Sequence, residues 1–298
     1  MNLILKIKMK RTFNILNHKT KSEIIEIVNR LGNEKLTKTG HGFKDSGAVS
    51  IFESSKQSTK NYTKRIENKP AIGLILVVLA ANRNYNRVVE PNLKRIEIEF
   101  PDLRTFQQLS DILNSKSESE FYEFWGHRDK KKYNTLKSLL YVINNDLRKK
   151  YPIVSDDFQL MNNWGRDVDL LNYKNDVIGK IPNIALATIQ HLRMTFGINT
   201  VKPDQRVKEV LKYEFGLSRL SNEKVISAIE QIADVVNLDV ITVDQIFVKY
   251  GSSYYTKKDS DSKKITIRQV AKNLKELNVD INIISKATSL SEEQIERL

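Results

Sequence analysis

The residues whose order and spacing point to chemistry lie between 177 and 211, reading VIGKIPNIALATIQHLRMTFGINTVKPDQRVKEVL. A predicted helix ending near Gly179 meets a tight turn over Lys180 to Asn183, and a second predicted helix runs from Asn183 to Phe196. The first turn of a helix carries backbone N–H groups without intrahelical acceptors, and together with the helix dipole they bind phosphate without any particular side chain. Lys180 would add charge to such a site. Gly197 closes the second helix, and Lys202-Pro203-Asp204 leads into a predicted helix over Gln205 to Phe215. An aspartate at that place is a routine N-cap, worth about 1 kcal/mol.

Other chemistries find little in the sequence. The chain has no cysteine, which excludes disulfides, thiolate zinc sites, iron–sulfur clusters and cysteine nucleophiles. Its four histidines, His18, His41, His127 and His191, show no paired helical spacing, so neither a metal site nor a cofactor is expected. Phosphate-binding P-loops, Gly-x-Gly-x-x-Gly and Gly-x-Ser-x-Gly are missing as well.

The elements that must position the 177–211 segment read as helix after helix. Pro70 suits a helix start, and Ala71 to Ala81 is almost wholly apolar, hence buried. Further helices are predicted over Lys21–Leu31, Leu103–Leu113, Ser117–Trp125, Lys130–Lys149, Asp156–Asn162, Asn222–Val236, Val243–Tyr250, Ile267–Leu277 and Ile281–Thr288. Arg95 to Phe100 alternates like a strand, but one such run makes no sheet. The expected fold is mostly α. With 298 residues, 40% apolar and 29% charged, the chain has the composition of a globular protein able to bury a large core.

Charge divides the chain. It carries 49 Lys and Arg against 36 Asp and Glu, a net +13, and residues 1–69 hold 15 of these bases against 6 acids. Residues 1–69 therefore read as a basic arm, with Gly40 to Asn68 as a polar loop serving either as tether or as binding arm. Residues 70–250 form the helical domain. Residues 251–298 read as a Gly/Ser/Asp/Lys-rich linker followed by a small helical unit. The excess of positive charge favours a polyanionic partner. The longest nearly charge-free apolar stretch, Ala71 to Ala81, is 11 residues and too short to span a bilayer, and Met1 to Met9 is too short and basic for a signal peptide. A cytoplasmic protein with no membrane partner is expected.

Taken in order and spacing, the 177–211 segment resembles the helix-hairpin-helix DNA glycosylases. Their pattern runs from a hairpin of the type Leu-Pro-Gly-Val-Gly through a helix ending in Phe-Gly to an aspartate seven residues beyond that glycine. Here Ile181-Pro182-Asn183-Ile184-Ala185 stands at the hairpin, Phe196-Gly197 closes the helix, and Asp204 follows Gly197 by seven. Arg206-Val207 continues the pattern, and Ala71 to Val89 is similar to the family's buried helix and polar loop. The likeness spans roughly residues 70–250, and its Lys202-Pro203-Asp204 form, with Val243-Asp244-Gln245-Ile246-Phe247 later, looks more like an uncharacterised bacterial branch than any well-studied member. It implies an all-helical DNA-repair hydrolase that binds double-stranded DNA. Asp204 would stabilise the cation that develops on the sugar as the glycosidic bond breaks, and would orient or deprotonate water. Asn82 would enter the base stack, with Arg83 and Asn84 beside it on phosphate, and Lys180, Ile181, Pro182, Asn183, Ile184, Ala185, Lys202 and Arg206 would complete the DNA contact.

The sequence also departs from that pattern. Asn183 and Ala185 occupy places where the family has glycine, and Leu186 or Ala187 stands where bifunctional members carry the Schiff-base lysine. The implied chemistry is thus hydrolytic only. Two alternatives remain, an inactive DNA-binding module of the same fold and a protein-interaction scaffold. The terminal stretch from Val270 to Leu298 resembles short helical tails of bacterial helix-turn-helix and nuclease-associated proteins.

Overall fold

A computed structural model describes residues 13–36, 49–255, 270–288 and 290–296. The start of the expected basic arm, the first part of its polar loop with His41, most of the expected linker and the first residues of the Ile267–Leu277 helix lie outside the described residues. The protein is mostly α, and among the described residues there is no β-strand, only an isolated bridge between Lys35 and Ser50.

Capping chemistry sets where the helices begin. Helix α1 (Lys21–Asn33) opens on a reciprocal capping box between Thr20 and Glu23 and buries Ile24, Val28 and Leu31 along one face. Helix α2 (Ile51–Asn61) opens on the same device, Ser50 with Glu53, and α3 (Lys64–Glu67) follows. The expected polar loop is therefore helical from Ile51: the capping box and the fully buried Ile51 outweigh a polar composition with little periodicity. Helix α4 (Pro70–Ala80) has Pro70 in its first turn. A π turn over Tyr85–Val89 leads into α5 (Glu90–Glu99), so the Arg95–Phe100 alternation belongs to a helix, whose buried residues Leu93 and Ile96 are three apart.

Helices α6 (Phe106–Ser115) and α7 (Glu118–Trp125) start on boxes at Thr105/Gln108 and Ser117/Glu120. Helix α8 (Lys130–Val142) passes through a π turn, Ile143–Leu147, into the single turn α9 (Arg148–Lys150). Then come α10 (Asp157–Asp167), α11 (Leu186–Thr195), α12 (Gln205–Tyr213), α13 (Asn222–Val236) and α14 (Val240–Tyr254).

Helix α4 is the hub, with α3, α5, α6, α8 and α11 all packed on it. It is apolar all round, as a helix enclosed by neighbours must be: Ile72, Leu74, Ile75 and Leu79 are fully buried. Gly73 sets the approach of α3 first and of α11 second. A Cβ there would stand 2.7 Å from Ile66 Cγ2 and 3.1 Å from Phe196 Cζ, so any larger residue would force the helices apart.

The N-terminal segments are part of this body. Ile15 is buried, its N–H donates to Gln231 Oε1 at 3.2 Å, and Gln231 Nε2 donates back to the Phe13 carbonyl at 2.8 Å. Helix α1 packs on α13 and α2, and Arg30 pairs with Glu214 at 2.6 Å. The chain forms two compact units, Met1–Gly251 and Ser252–Leu298, so the boundary expected at 69/70 does not separate an arm from the helical domain. The second unit contains α15 (residues 270–276), α16 (Ile281–Thr288) and α17 (Glu292–Glu296) around buried Ala271, Ile284 and Ile295.

Candidate functional site

The hairpin is built by side-chain acceptors rather than by a helix end. Between Asp167 and Leu186 the expected first helix is replaced by turns, with one 3-10 turn at Tyr173–Asn175. The reason is local competition: Asp169 Oδ1 accepts from Leu171 N at 2.9 Å, and Asp176 Oδ1 accepts from Ile178 N at 2.9 Å and from Trp164 Nε1 at 3.0 Å. Gly179 then passes so close to Tyr173 that an added Cβ would sit 1.7 Å from its carbonyl oxygen, a place only glycine can fill.

Asn183 takes φ +69°, the left-handed conformation that a glycine would supply, and asparagine is the side chain that tolerates it best. Its Nδ2 donates to Thr135 Oγ1 at 3.3 Å, and that hydroxyl, whose proton goes to the Lys131 carbonyl at 2.8 Å, also lies 3.4 Å from the Pro182 carbonyl, which sets the turn against α8. Ile181 and Ile184 are buried beneath it, while Pro182, Asn183 and Ala185 are exposed. Ala185, the N-cap of α11, offers no side-chain acceptor, whereas α1, α2, α6 and α7 all begin on capping boxes. The first-turn amides of α11 are thus left without a side-chain cap, and the amine of Lys174 donates to the Ile184 carbonyl just before that helix at 3.2 Å, while Lys180 is exposed.

The loop after α4 stands on the same side of α8. Asn82 is exposed at φ +55°, and Lys132 at the start of α8 donates to the carbonyls of Val78, Leu79 and Ala81 at 2.9, 2.8 and 2.6 Å. These are the terminal carbonyls of α4, so the amine closes that helix and fixes the place where Asn82 begins. Burial, with Arg83 and Lys202 nearby, pulls the Lys132 amine down to about 8. Arg83 is engaged within the protein, donating to Asp129 Oδ2 at 3.2 Å and to His127 Nε2 at 3.3 Å. Burial, then Arg83, lowers the affinity of His127 for a proton, which suits its acceptor role. Asn84 caps the π turn, its Oδ1 accepting from Arg87 N at 3.0 Å.

Asp204 is the N-cap of α12: Oδ1 accepts from Arg206 N at 2.9 Å and from Val207 N at 3.1 Å. Its Oδ2 has no donor among the described residues. Arg206 pairs with Glu209 at 2.7 Å. Behind Asp204, Val201 and Pro203 are buried, and Lys202 N donates to Oδ1 of Asp244 on α14 at 3.2 Å. Gln245 Nε2 donates to Asp244 Oδ2 at 3.2 Å. Burial, then the charge of Asp204, pushes the Asp244 carboxyl well above the usual carboxylate range. His191 on α11 is held well below the usual imidazole range by burial, then by Lys202. Tyr62, between α2 and α3, has its phenol raised by burial, then by Asp244 and Tyr85. Tyr62 approaches Thr195 on α11, though Thr195 Oγ1 makes no well-aligned hydrogen bond.

Contacts therefore set two of the segments singled out in the sequence against α8, the Asn82 loop on Lys132 and the hairpin at Thr135, and Lys202 acts electrostatically on both Lys132 and His191. The sequence assigned no site role to Lys132, Tyr62 or Asp244. Asp244 carried a readable signal, a lone acid within the apolar run Ile241, Val243, Ile246, Phe247. Among the described residues no group of three His, Cys, Asp or Glu is placed to hold a metal, and no helix is long and apolar enough to cross a membrane. Comparison with protein-family models, with curated proteins and with solved structures finds no match to this chain.

Proposed function

We propose that the chain binds double-stranded DNA and hydrolyses the N-glycosidic bond of a damaged or modified base, with Asp204 stabilising the sugar cation and directing water. The observation that carries this reading is the division of labour within one carboxylate. Oδ1 is fixed by two backbone N–H groups of α12, and Oδ2 is left with no donor, which suits a pre-positioned charge beside a reacting centre. The uncapped start of α11 and its left-handed Asn183 supply backbone donors for phosphate, and the exposed Asn82 supplies a side chain for the vacated stack.

Single-turnover incubation with duplexes carrying uracil, alkylated, deaminated or oxidised bases, followed by hot alkali, tests it. Wild type should yield cleaved strand from one class, and Asp204→Asn should bind equally but react at least about 100-fold more slowly. The pairing of Arg83 with Asp129 and of Arg206 with Glu209 favours a second reading, a protein-interaction scaffold, because it occupies two expected phosphate contacts. A scaffold shows no duplex affinity at moderate salt, whereas a DNA-binding protein binds and weakens steeply as salt rises.

A further inference from the structure

We propose that Asp244 is the positioning residue for Asp204, acting through the backbone of Lys202. This inference rests on the reading of Asp204 as the acting carboxylate. Asp244 is only 2% exposed, its Oδ1 takes the Lys202 N–H at 3.2 Å, and the Asp204 N–H donates to the Lys202 carbonyl at 2.7 Å. The two hydrogen bonds make a two-step link from the second turn of α14 to the residue that opens α12. Between them stands Pro203, buried and with its φ fixed by its ring, so the tripeptide Lys202-Pro203-Asp204 moves as a short stiff lever. A carboxyl buried among apolar neighbours is costly unless its hydrogen bonds are made, and its two contacts here are the Lys202 amide and Gln245. The N-cap bonds alone set the distance of Asp204 from α12; the link to Asp244 sets where that helix start stands relative to α14.

The experiment compares wild type, Asp244→Asn and Asp244→Leu by Lys202 amide hydrogen exchange, single-turnover excision and duplex binding. Asparagine keeps an Oδ1 acceptor, and leucine removes it while keeping the branched shape of the side chain. We expect exchange at Lys202 to be roughly tenfold faster in Asp244→Leu and close to wild type in Asp244→Asn, as the loss of one hydrogen bond predicts. Excision should slow by about the same factor in Asp244→Leu with duplex affinity unchanged, and recover in Asp244→Asn. Unaltered Lys202 exchange in Asp244→Leu, or excision and binding lost together, would overturn the proposal. If Asp244→Leu does not fold, the wild-type protein decides: the Lys202 amide proton shift must follow the titration of the Asp244 side-chain carbon with one midpoint, and an amide indifferent to it refutes the link. A wild type that excises nothing sinks the reading of Asp204 as catalytic, while the exchange result still decides whether Asp244 holds its segment.

Discussion

Replacing Asp244 by asparagine should change the pH dependence of stability in a direction fixed by burial. In the folded protein this carboxyl sits inside α14 with Asp204 nearby, and both effects favour its neutral form; Lys202 and Gln245 oppose them in part. The folded value is therefore raised above that of the unfolded chain, about 3.9 for an aspartate. Below the unfolded value both states carry the proton and no difference arises. Between the unfolded and the folded value, the folded protein holds one proton that the unfolded chain has released, so stability falls as pH rises by about 1.4 kcal/mol per unit. Asparagine cannot ionise and lacks this slope. The assay is urea unfolding of wild type and Asp244→Asn at half-unit steps from pH 4 to pH 8. The other carboxylates are common to both proteins, so subtraction largely removes them. Wild-type stability relative to the variant should decline from pH 4 upward by about 1.4 kcal/mol per unit and level off once the folded carboxyl ionises. Parallel curves would refute the reasoning, because they would mean that Asp244 ionises as readily in its buried place as in the unfolded chain.

Asp204→Asn should leave stability within about 0.5 kcal/mol of wild type, since asparagine caps as well, while Asp204→Ala should lose about 1 kcal/mol; thermal melts of both separate the cap from the chemistry. Asn183→Gly should be neutral, whereas Asn183→Val at φ +69° should cost about 2 kcal/mol, as read from chemical denaturation. Lys132→Met leaves the carbonyls of Val78, Leu79 and Ala81 without their amine and should destabilise by about 2 kcal/mol or more, with faster exchange in the last turn of α4 and the Asn82 loop.

The helices were legible wherever hydrophobic spacing and a cap agreed. Asn222–Val236 and Ile281–Thr288 were expected with the bounds observed, and Asp204 was expected as a cap and is one. The failures have two physical causes. Helix α2 was hidden because its polar surface shows little period, yet its four-residue start Ser50-Ile51-Phe52-Glu53 spells a capping box. The helix expected before the hairpin fails for the opposite reason: Asp169 and Asp176 capture backbone N–H groups that a helix would need. The departures at Asn183 and Ala185 read in the sequence as lost glycines. In the structure Asn183 adopts the glycine-like φ, while Gly179, upstream, takes the tightest backbone approach. What no local pattern shows is partnership across the chain, such as Asp244 with Lys202 or Lys132 with the end of α4, because those contacts exist only after the helices pack.

The clip between Phe13 and Gln231 has a consequence for the order of events during synthesis. The α4-centred core runs from Ile66 to Phe196 and can close while the ribosome is still translating. The partners of the N-terminal segments come much later: Ile15 waits for Gln231, 216 positions on, and Ser54 for Lys249, 195 positions on. At about 5–20 residues per second, that is a delay of about 10–40 s in which α1 and α2 have been made and have each other but lack the faces of α13 and α14. Limited proteolysis of chains stalled at about residue 235, from which α4 and α11 have emerged but α13 and α14 have not, should therefore cut within α1 and α2 and spare α4. Helices α1 and α2 thus leave the ribosome well before α13 and α14, the helices that complete their packing, have been made.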